Sequence, residues 1–132
     1  MNGHAEVGGE PPNGFPVEIR SPDFEITDAI RQYAMDHLAS KLAKHGHRIQ
    51  TVIVRFGDVN GSKGGADKLC RVEVLIPRQE PLVIEEVTTD LRAAIDLAAD
   101  RVEKVVQRDL ERMRVEPRHR GRKIVRNRKI LS

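Results

Sequence analysis

The sequence has few aromatic residues, a single cysteine and no long apolar run. It holds three Phe, one Tyr and no Trp in 132 residues, which leaves few rings for stacking on nucleic-acid bases. The lone Cys70 excludes an internal disulfide and a multi-thiolate metal site, and is typical of a reducing compartment. The apolar runs at 51–54 and 72–76 are far too short to cross a bilayer. We therefore expect a soluble protein without a membrane span.

The length allows one domain with a single core. Residues 1–16 are rich in Gly and Pro, with neither a basic start nor an apolar segment, so they do not resemble a secretory signal. We expect them to be a disordered leader.

Charge is distributed unevenly along the chain. Residues 114–132 contain eight Lys or Arg and one acid, giving a net charge of +7. Residues 1–113 contain fifteen Lys or Arg and nineteen acids, giving −4. A cationic tail on a slightly acidic body indicates a localised contact with an anion. The alternative is a tail that only solubilises the chain.

Four segments have the alternating pattern of strands. A Gly-rich connection at 60–65 joins the second to the third as a hairpin, and residues 77–81 turn the chain into the fourth. The predicted strands are Val17 to Arg20, Ile49 to Phe56, Leu69 to Ile76 and Leu82 to Val87.

Two segments have helical spacing. The first is capped by Thr27 and runs to about His45, where Gly46 ends it. The second, capped by Thr88 or Thr89, is long and strongly amphipathic. Its predicted buried face comprises Leu91, Ala94, Ile95, Ala98, Val102, Val105, Val106, Leu110 and Met113.

The resulting order is β-α-β-β-β-α. It predicts an α+β domain over residues 17–114, in which two helices pack on one face of a four-stranded, mostly antiparallel sheet. The helical pattern breaks at Pro117, so we expect residues 115–132 to form a flexible basic tail.

A row of cations runs along the second helix, on a face separate from the predicted buried face. At about 100° per residue these side chains stay within one narrow stripe, and such a row suits the phosphates of a polyanion. The alternative is a solvated face on which Asp100, Glu103 and Glu111 neutralise them. This basic stripe consists of Arg101, Lys104, Arg108 and Arg112.

The sequence gives little support to an enzyme, a cofactor or a metal. His45 and His47 flank a helix end without a third ligand, and Cys70 alternates with buried positions, as an inert thiol does. The glycines at 61–65 lack the spacing of a phosphate-binding loop. The acids at 58, 67, 85 and 86 are interpreted as surface charges.

Two short segments, one at the start of each predicted helix, resemble a known family. Residues 26–33 (ITDAIRQY) and 90–96 (DLRAAID), with strand residues 70–74 and 82–83 between them, are similar to the ribosome hibernation promoting factors. That family includes ribosome-associated inhibitor A and was once described as sigma-54 modulation proteins. The likeness covers about residues 17–113 and corresponds to a short form without the second domain of long members.

The resemblance implies a cytoplasmic, non-catalytic protein. It would be a monomer when free, would need no cofactor or small-molecule substrate, and would dock on the small ribosomal subunit and its RNA near the decoding centre. There it would exclude messenger and transfer RNA during stationary phase and stress. The predicted RNA-binding residues are Arg101, Lys104, Arg108, Arg112, Arg31, Lys41, Lys44, Arg118, Arg120, Arg122 and Lys123.

Some positions depart from the family pattern. Gln107 and Asp109 stand where many relatives are basic, and His37, Ala39 and Ser40 make the first helix less basic than usual.

Two other functions stay open at this stage. One is a protein-interaction module for a transcription or signalling partner, using the open sheet face or an acidic edge at Glu85 and Glu86. The other is a double-stranded RNA binding domain, which has the order α-β-β-β-α. The strand predicted before the first helix argues against it.

Overall fold

The computed structural model describes residues 6–7, 14–59 and 67–115. The first strand and the 3₁₀ helix are additions to the predicted order. The elements are β1 (Glu6–Val7), β2 (Val17–Arg20), α1 (Asp28–Leu42), a 3₁₀ helix (Ala43–Arg48), β3 (Thr51–Asp58), β4 (Lys68–Leu75), β5 (Leu82–Thr88) and α2 (Leu91–Val115).

The strands form one sheet in the order β1-β2-β3-β4-β5. β2 and β3 are parallel, because α1 carries the chain back across the sheet between them. All other neighbours in the sheet are antiparallel. The prediction of two helices on a four-stranded, mostly antiparallel sheet is confirmed for β2 to β5, and β1 adds a two-residue strand at one edge.

The core lies between this sheet and the two helices. α2 packs against β4 and β5, while α1 packs against β2 and along α2. Alternate residues of each strand point into this layer, so the other half of each strand lies on the opposite face, against which no helix of the described residues packs; it is called here the helix-free face. The buried side chains of the three longer strands include Val52, Val54, Phe56, Cys70, Val72, Val74, Leu82 and Ile84.

The packed part of the chain includes residues just before β2. Phe15, placed in the predicted leader, is buried in the core, and the Pro16 carbonyl accepts a hydrogen bond of 3.0 Å from the Val52 amide. Gly14 has a φ of +88°, which glycine adopts without steric cost. The rest of the predicted leader, apart from β1, and the tail beyond Val115 lie outside the described residues.

The start of α1 was predicted correctly, and its end was not. The Thr27 hydroxyl accepts a hydrogen bond of 3.1 Å from the Ile30 amide, as an N-cap does. Gly46 does not end the helix. The α-helix stops at Leu42 and tightens into a 3₁₀ helix that continues through Gly46 to Arg48, a common way for the last turn to satisfy its carbonyls.

The cap of α2 also differs from the prediction. The Asp90 carboxylate, rather than either threonine hydroxyl, accepts a hydrogen bond of 3.0 Å from the Ala93 amide at the start of the helix. The Thr88 hydroxyl accepts a hydrogen bond from the Asp90 amide at 3.0 Å and thereby braces the cap. An aspartate there also places a negative charge at the positive end of the helix.

Most of the predicted apolar face of α2 is buried. Leu91 and Val105 are only half-buried at its margins, and Ala99 joins the buried set. The side chain of Met113 lies outside the described residues. The buried residues of α2 are Ala94, Ile95, Ala98, Ala99, Val102, Val106 and Leu110.

Replacing Asp90 with Ala should lower the free energy of unfolding by about 1 kcal/mol, because the first turn of α2 loses its cap. Thr89→Ala is the matched control, since Thr89 is exposed, and it should stay within about 0.5 kcal/mol of wild type. Urea denaturation of both variants checks this. Equal losses at the two positions would contradict the assignment of the cap.

Candidate nucleic-acid interface

A polar seam joins α1 to α2 along their exposed edge. The Tyr33 hydroxyl donates a hydrogen bond of 2.7 Å to Asp96, and His37 Nε2 lies 3.1 Å from the same carboxylate. The Arg92 guanidinium lies over the Tyr33 ring, 4.6 Å from its centroid, as in a cation–π contact. The hydrogen bond to Asp96 raises the pKa of Tyr33, so the phenol stays protonated and continues to donate.

The next turn of the seam is an ion pair. Lys41 Nζ lies 2.8 Å from Asp100 and 3.8 Å from Glu103. Hydrogen bonding to Asp100 raises the pKa of Lys41, and the same bond lowers the pKa of Asp100. Residue numbers rise together on both sides of the seam, from Tyr33 to Lys41 and from Asp96 to Glu103, so the two helices run parallel.

Contacts in the seam hold two acids of α2 away from the basic stripe. The solvated-face alternative required Asp100, Glu103 and Glu111 to neutralise the cations of α2. Asp100 and Glu103 instead contact Lys41 of α1, and Glu111 accepts a hydrogen bond of 3.4 Å from Gln107.

Lys104 and Arg108 lie on the exposed side of α2 without a close carboxylate partner among the described residues, and the Lys104 charge adds to that of Lys41 in lowering the pKa of Asp100. Lys104 and Arg108 are both exposed, and neither forms an ion pair with any residue that the structure describes. Leu97 lies on the same side, one helical turn before Arg101, and is 45% exposed. Nothing in the sequence distinguishes Leu97, because one leucine outside an apolar face carries no signal by itself.

Arg101 is partly neutralised from the sheet. Its Nε lies 3.2 Å from the Glu86 carboxylate, whose side chain is only 10% exposed and points toward α2 rather than outward as predicted. The contact brings the charges close without hydrogen-bond geometry, and the oxygen involved is buried without another partner among the described residues. Burial raises the pKa of Glu86, and Arg101 opposes that rise.

The remaining predicted residues do not all join this surface. Arg31 lies about 160° around α1 from Tyr33, at about 100° per residue, so it faces away from α2. Lys44 is exposed on the 3₁₀ helix, and Arg112 is half-buried near the end of α2. The predicted cations of the tail, Arg118, Arg120, Arg122 and Lys123, lie outside the described residues.

Asp109 has a structural role that explains an acid at this position. It is buried and accepts a hydrogen bond of 2.7 Å from the Gln79 amide in the turn between β4 and β5. A basic side chain could not accept that bond. The departure at Asp109 thus ties the far half of α2 to the sheet and leaves the exposed side of the helix unchanged.

The acidic edge proposed for a protein-interaction module is not formed. Glu85 lies on the helix-free face, where its carboxylate contacts Arg71 at 2.9 Å, while Glu86 faces α2. Neighbouring residues of a strand point to opposite faces, so the two acids cannot make one patch. Asp67, interpreted as a surface charge, is buried at the base of the hairpin.

The groups weighed for chemistry are poorly placed for it. Cys70 is 1% exposed, and burial raises the pKa of its thiol to about 12, which keeps it protonated and unreactive. His45 Nε2 is buried with no hydrogen-bond partner in the described part of the chain, and burial lowers the pKa of His45. No three potential metal ligands cluster among residues 6–7, 14–59 and 67–115.

Within the described ranges, neither helix combines the length and the apolar character that a bilayer crossing requires.

Most of the chain matches one known protein family. Residues 17–114 match the family described as Sigma 54 modulation protein / S30EA ribosomal protein. The chain is 28% identical over 106 residues to the chloroplastic ribosome-binding factor PSRP1 of Spinacia oleracea, covering 79% of this chain and 34% of that protein. It is 30% identical over 105 residues to the ribosome hibernation promotion factor of Lactococcus lactis subsp. cremoris, covering 76% of this chain and 52% of that protein.

Solved structures have the same fold. The N-terminal domain of Protein Y from Thermus thermophilus is 32% identical, with a TM-score of 0.54 over 70% of this chain and 92% of that one. A ribosomal subunit interface protein from Coxiella burnetii has a TM-score of 0.61 over 72% of this chain and 97% of that one, and at 16% identity this likeness concerns the fold. The chain spans about a third to a half of the curated relatives that it matches.

The raised pKa of Glu86 predicts a pH dependence of stability. The folded protein holds the Glu86 proton to higher pH than the unfolded chain, so stability falls as the pH rises from about 4.3, the ordinary glutamate value, through the folded pKa. Glu86→Gln cannot ionise and lacks this loss. Urea unfolding between pH 4 and pH 7 should show the variant gaining on wild type as the pH rises. A constant difference across that range would contradict the prediction.

Proposed function

The chain belongs to the Sigma 54 modulation protein / S30EA ribosomal protein family, and we propose that it is a ribosome-associated hibernation factor. In this proposal it acts in the cytoplasm, docks on small-subunit RNA near the decoding centre and excludes messenger and transfer RNA by occupying their path. It acts by occupancy and catalyses no reaction. The pair Lys104 and Arg108, exposed on α2 and without an ion pair among the described residues, is the observation that supports this site.

Phosphate recognition fits these side chains. A lysine binds a phosphate as a point charge, and an arginine offers a fork of donors matched to two phosphate oxygens. From Arg101 to Arg112 the helix advances about 16 Å at 1.5 Å per residue, enough to pass several phosphates on one rigid element. Because Lys104 and Arg108 form no ion pair within the part of the chain that the structure describes, binding there does not first break one.

The aromatic residues support recognition of phosphate and shape rather than of base sequence. All four rings of the sequence lie in the described part of the chain, and none is exposed: Phe15 and Phe56 are buried, and Phe24 and Tyr33 are half-buried. Tyr33 is further held by Asp96 and covered by Arg92. Exposed rings are the platforms on which single-stranded bases stack, so a structured RNA surface is the better match.

The predicted cations differ in whether RNA binding must compete with an internal contact to a carboxylate. Lys41 is already held by Asp100 and Glu103 across the seam, and Arg101 contacts Glu86. We therefore assign Lys41 to positioning α2 against α1, and Arg101 to a secondary contact that must share its guanidinium with a buried carboxylate. Leu97, exposed beside them, adds an apolar contact at the N-terminal end of the stripe.

The double variant Lys104→Gln/Arg108→Gln should bind salt-washed small ribosomal subunits at least about tenfold more weakly at 150 mM salt, because two phosphate contacts and their released counterions are lost. Co-sedimentation across a concentration series measures this. Arg48→Gln is the control, since it removes an exposed cation of the 3₁₀ helix that lies outside the stripe, and its affinity should change far less. Equal binding by the double variant and wild type would remove the stripe from the mechanism.

The basic tail is proposed to add affinity that does not depend on RNA sequence. Deleting residues 116–132 removes seven Lys or Arg, so binding to small subunits should weaken and its dependence on salt should become shallower. Affinities measured between 50 and 200 mM salt give the slope. A slope equal to that of the full chain would exclude the tail from the contact.

A further inference from the structure

The helix-free face of the sheet carries a row of arginines that the sequence does not reveal. Arg20 of β2 lies directly opposite Arg55 of β3, and Arg55 lies directly opposite Arg71 of β4. The three residues are far apart in the chain, and each appears as one outward-facing position of its own strand. Only the register of the sheet brings them into a single line, called here the arginine row.

This arrangement costs stability. Directly opposite residues on neighbouring strands have Cβ atoms about 5 Å apart, and like charges at such positions are destabilising. The row places Arg55 between two arginines, one on each side. A fold selected only for stability would not be expected to place three cations in this way, so the row has a candidate role in binding.

Carboxylates compensate the ends of the row but not its centre. Arg20 contacts Glu18 at 2.7 Å, and Arg71 contacts Glu73 at 3.1 Å and Glu85 at 2.9 Å. Arg55 is exposed and forms no ion pair with any residue in the described ranges. A guanidinium carries five donor hydrogens, and that of Arg55 shares none of them with a described carboxylate.

The surroundings of Arg55 favour a phosphate over a protein surface. The centres of protein interfaces are depleted in charge and enriched in aromatic residues. The centre of this face is the arginine row, and no aromatic side chain of the described residues accompanies it. Ile53, half-buried two residues from Arg55 on the same face, lies opposite Glu18 and Glu73.

We propose that Arg55, held between Arg20 and Arg71, is a second contact for RNA phosphate, on the face of the domain opposite α2. This inference rests on the proposed function and deepens it. The bound domain is then enclosed between RNA on both of its layers, with the basic stripe on one side and the arginine row on the other. Such enclosure suits a protein that fills a channel rather than one that rests on a surface.

The central test is Arg55→Gln, measured for stability and for binding to salt-washed small ribosomal subunits. The variant should unfold at a higher temperature than wild type, because the repulsion within the row is relieved. It should bind on the order of fivefold more weakly at 150 mM salt, and its salt slope should fall by about 0.7 to 0.9, the value of one phosphate contact. Arg55→Lys keeps the charge and should recover most of the affinity.

A gain of binding gives a second test that misfolding cannot imitate. Glu85→Gln releases Arg71 from one of its two carboxylates, so this variant should bind subunits more tightly while unfolding at a lower temperature. Unchanged or weaker binding by Glu85→Gln, or unchanged binding by Arg55→Gln, overturns the inference.

Failure of this inference and failure of the proposed function give different binding results. If wild type binds subunits and the Lys104→Gln/Arg108→Gln variant does not, while Arg55→Gln equals wild type, only the arginine row is excluded. If wild type fails to bind, both proposals are overturned. A benzophenone amino acid at Ile53 identifies what this face touches: cross-links to ribosomal RNA support the inference, and cross-links to ribosomal protein alone overturn it.

Discussion

The proposed binding surface of this domain depends on the ion pair between Lys41 of α1 and the acids of α2. Asp100 would otherwise be fully available to Lys104 one turn away, and α2 would carry a more balanced, solvated face. Because α1 lies parallel to α2 and takes both Asp100 and Glu103, the negative charge of these two acids is held in the seam. Lys104 and Arg108 lie on the exposed side without an ion pair to any described residue.

Much of the fold could be predicted from the sequence, because hydrophobic period and turn chemistry are local signals. Alternation in the strands and the three-and-four spacing of α2 gave four strands and two helices, and Thr27 marked the start of α1 correctly. The errors lie at helix boundaries. The chain continues past Gly46 as a 3₁₀ helix, and Asp90 rather than a threonine caps α2. Tertiary contacts and competing polar side chains decide which of several suitable residues ends or caps a helix.

The candidate site could be predicted only in part, because charge compensation depends on neighbours that are distant in sequence. The stripe was visible from spacing alone, but the internal partners of Lys41 and Arg101 follow from helix packing and from the inward direction of Glu86. The arginine row depends on strand register, which a shift of one residue would destroy. Tyr33 and Asp96, within the two segments that carried the family resemblance, meet across the seam.

A structure of the chain bound to the small ribosomal subunit, determined by electron cryo-microscopy, tests the central claim most directly. The separation of charge on α2, with Asp100 and Glu103 in the seam and the cations on the exposed side, predicts that this exposed side faces ribosomal RNA. The nitrogens of Lys104 and Arg108 should then lie about 2.7–2.9 Å from phosphate oxygens. The same separation also predicts that Lys41 keeps its contacts with Asp100 and Glu103 in the complex. A bound domain whose α2 faces solvent, or contacts only ribosomal protein, would contradict it.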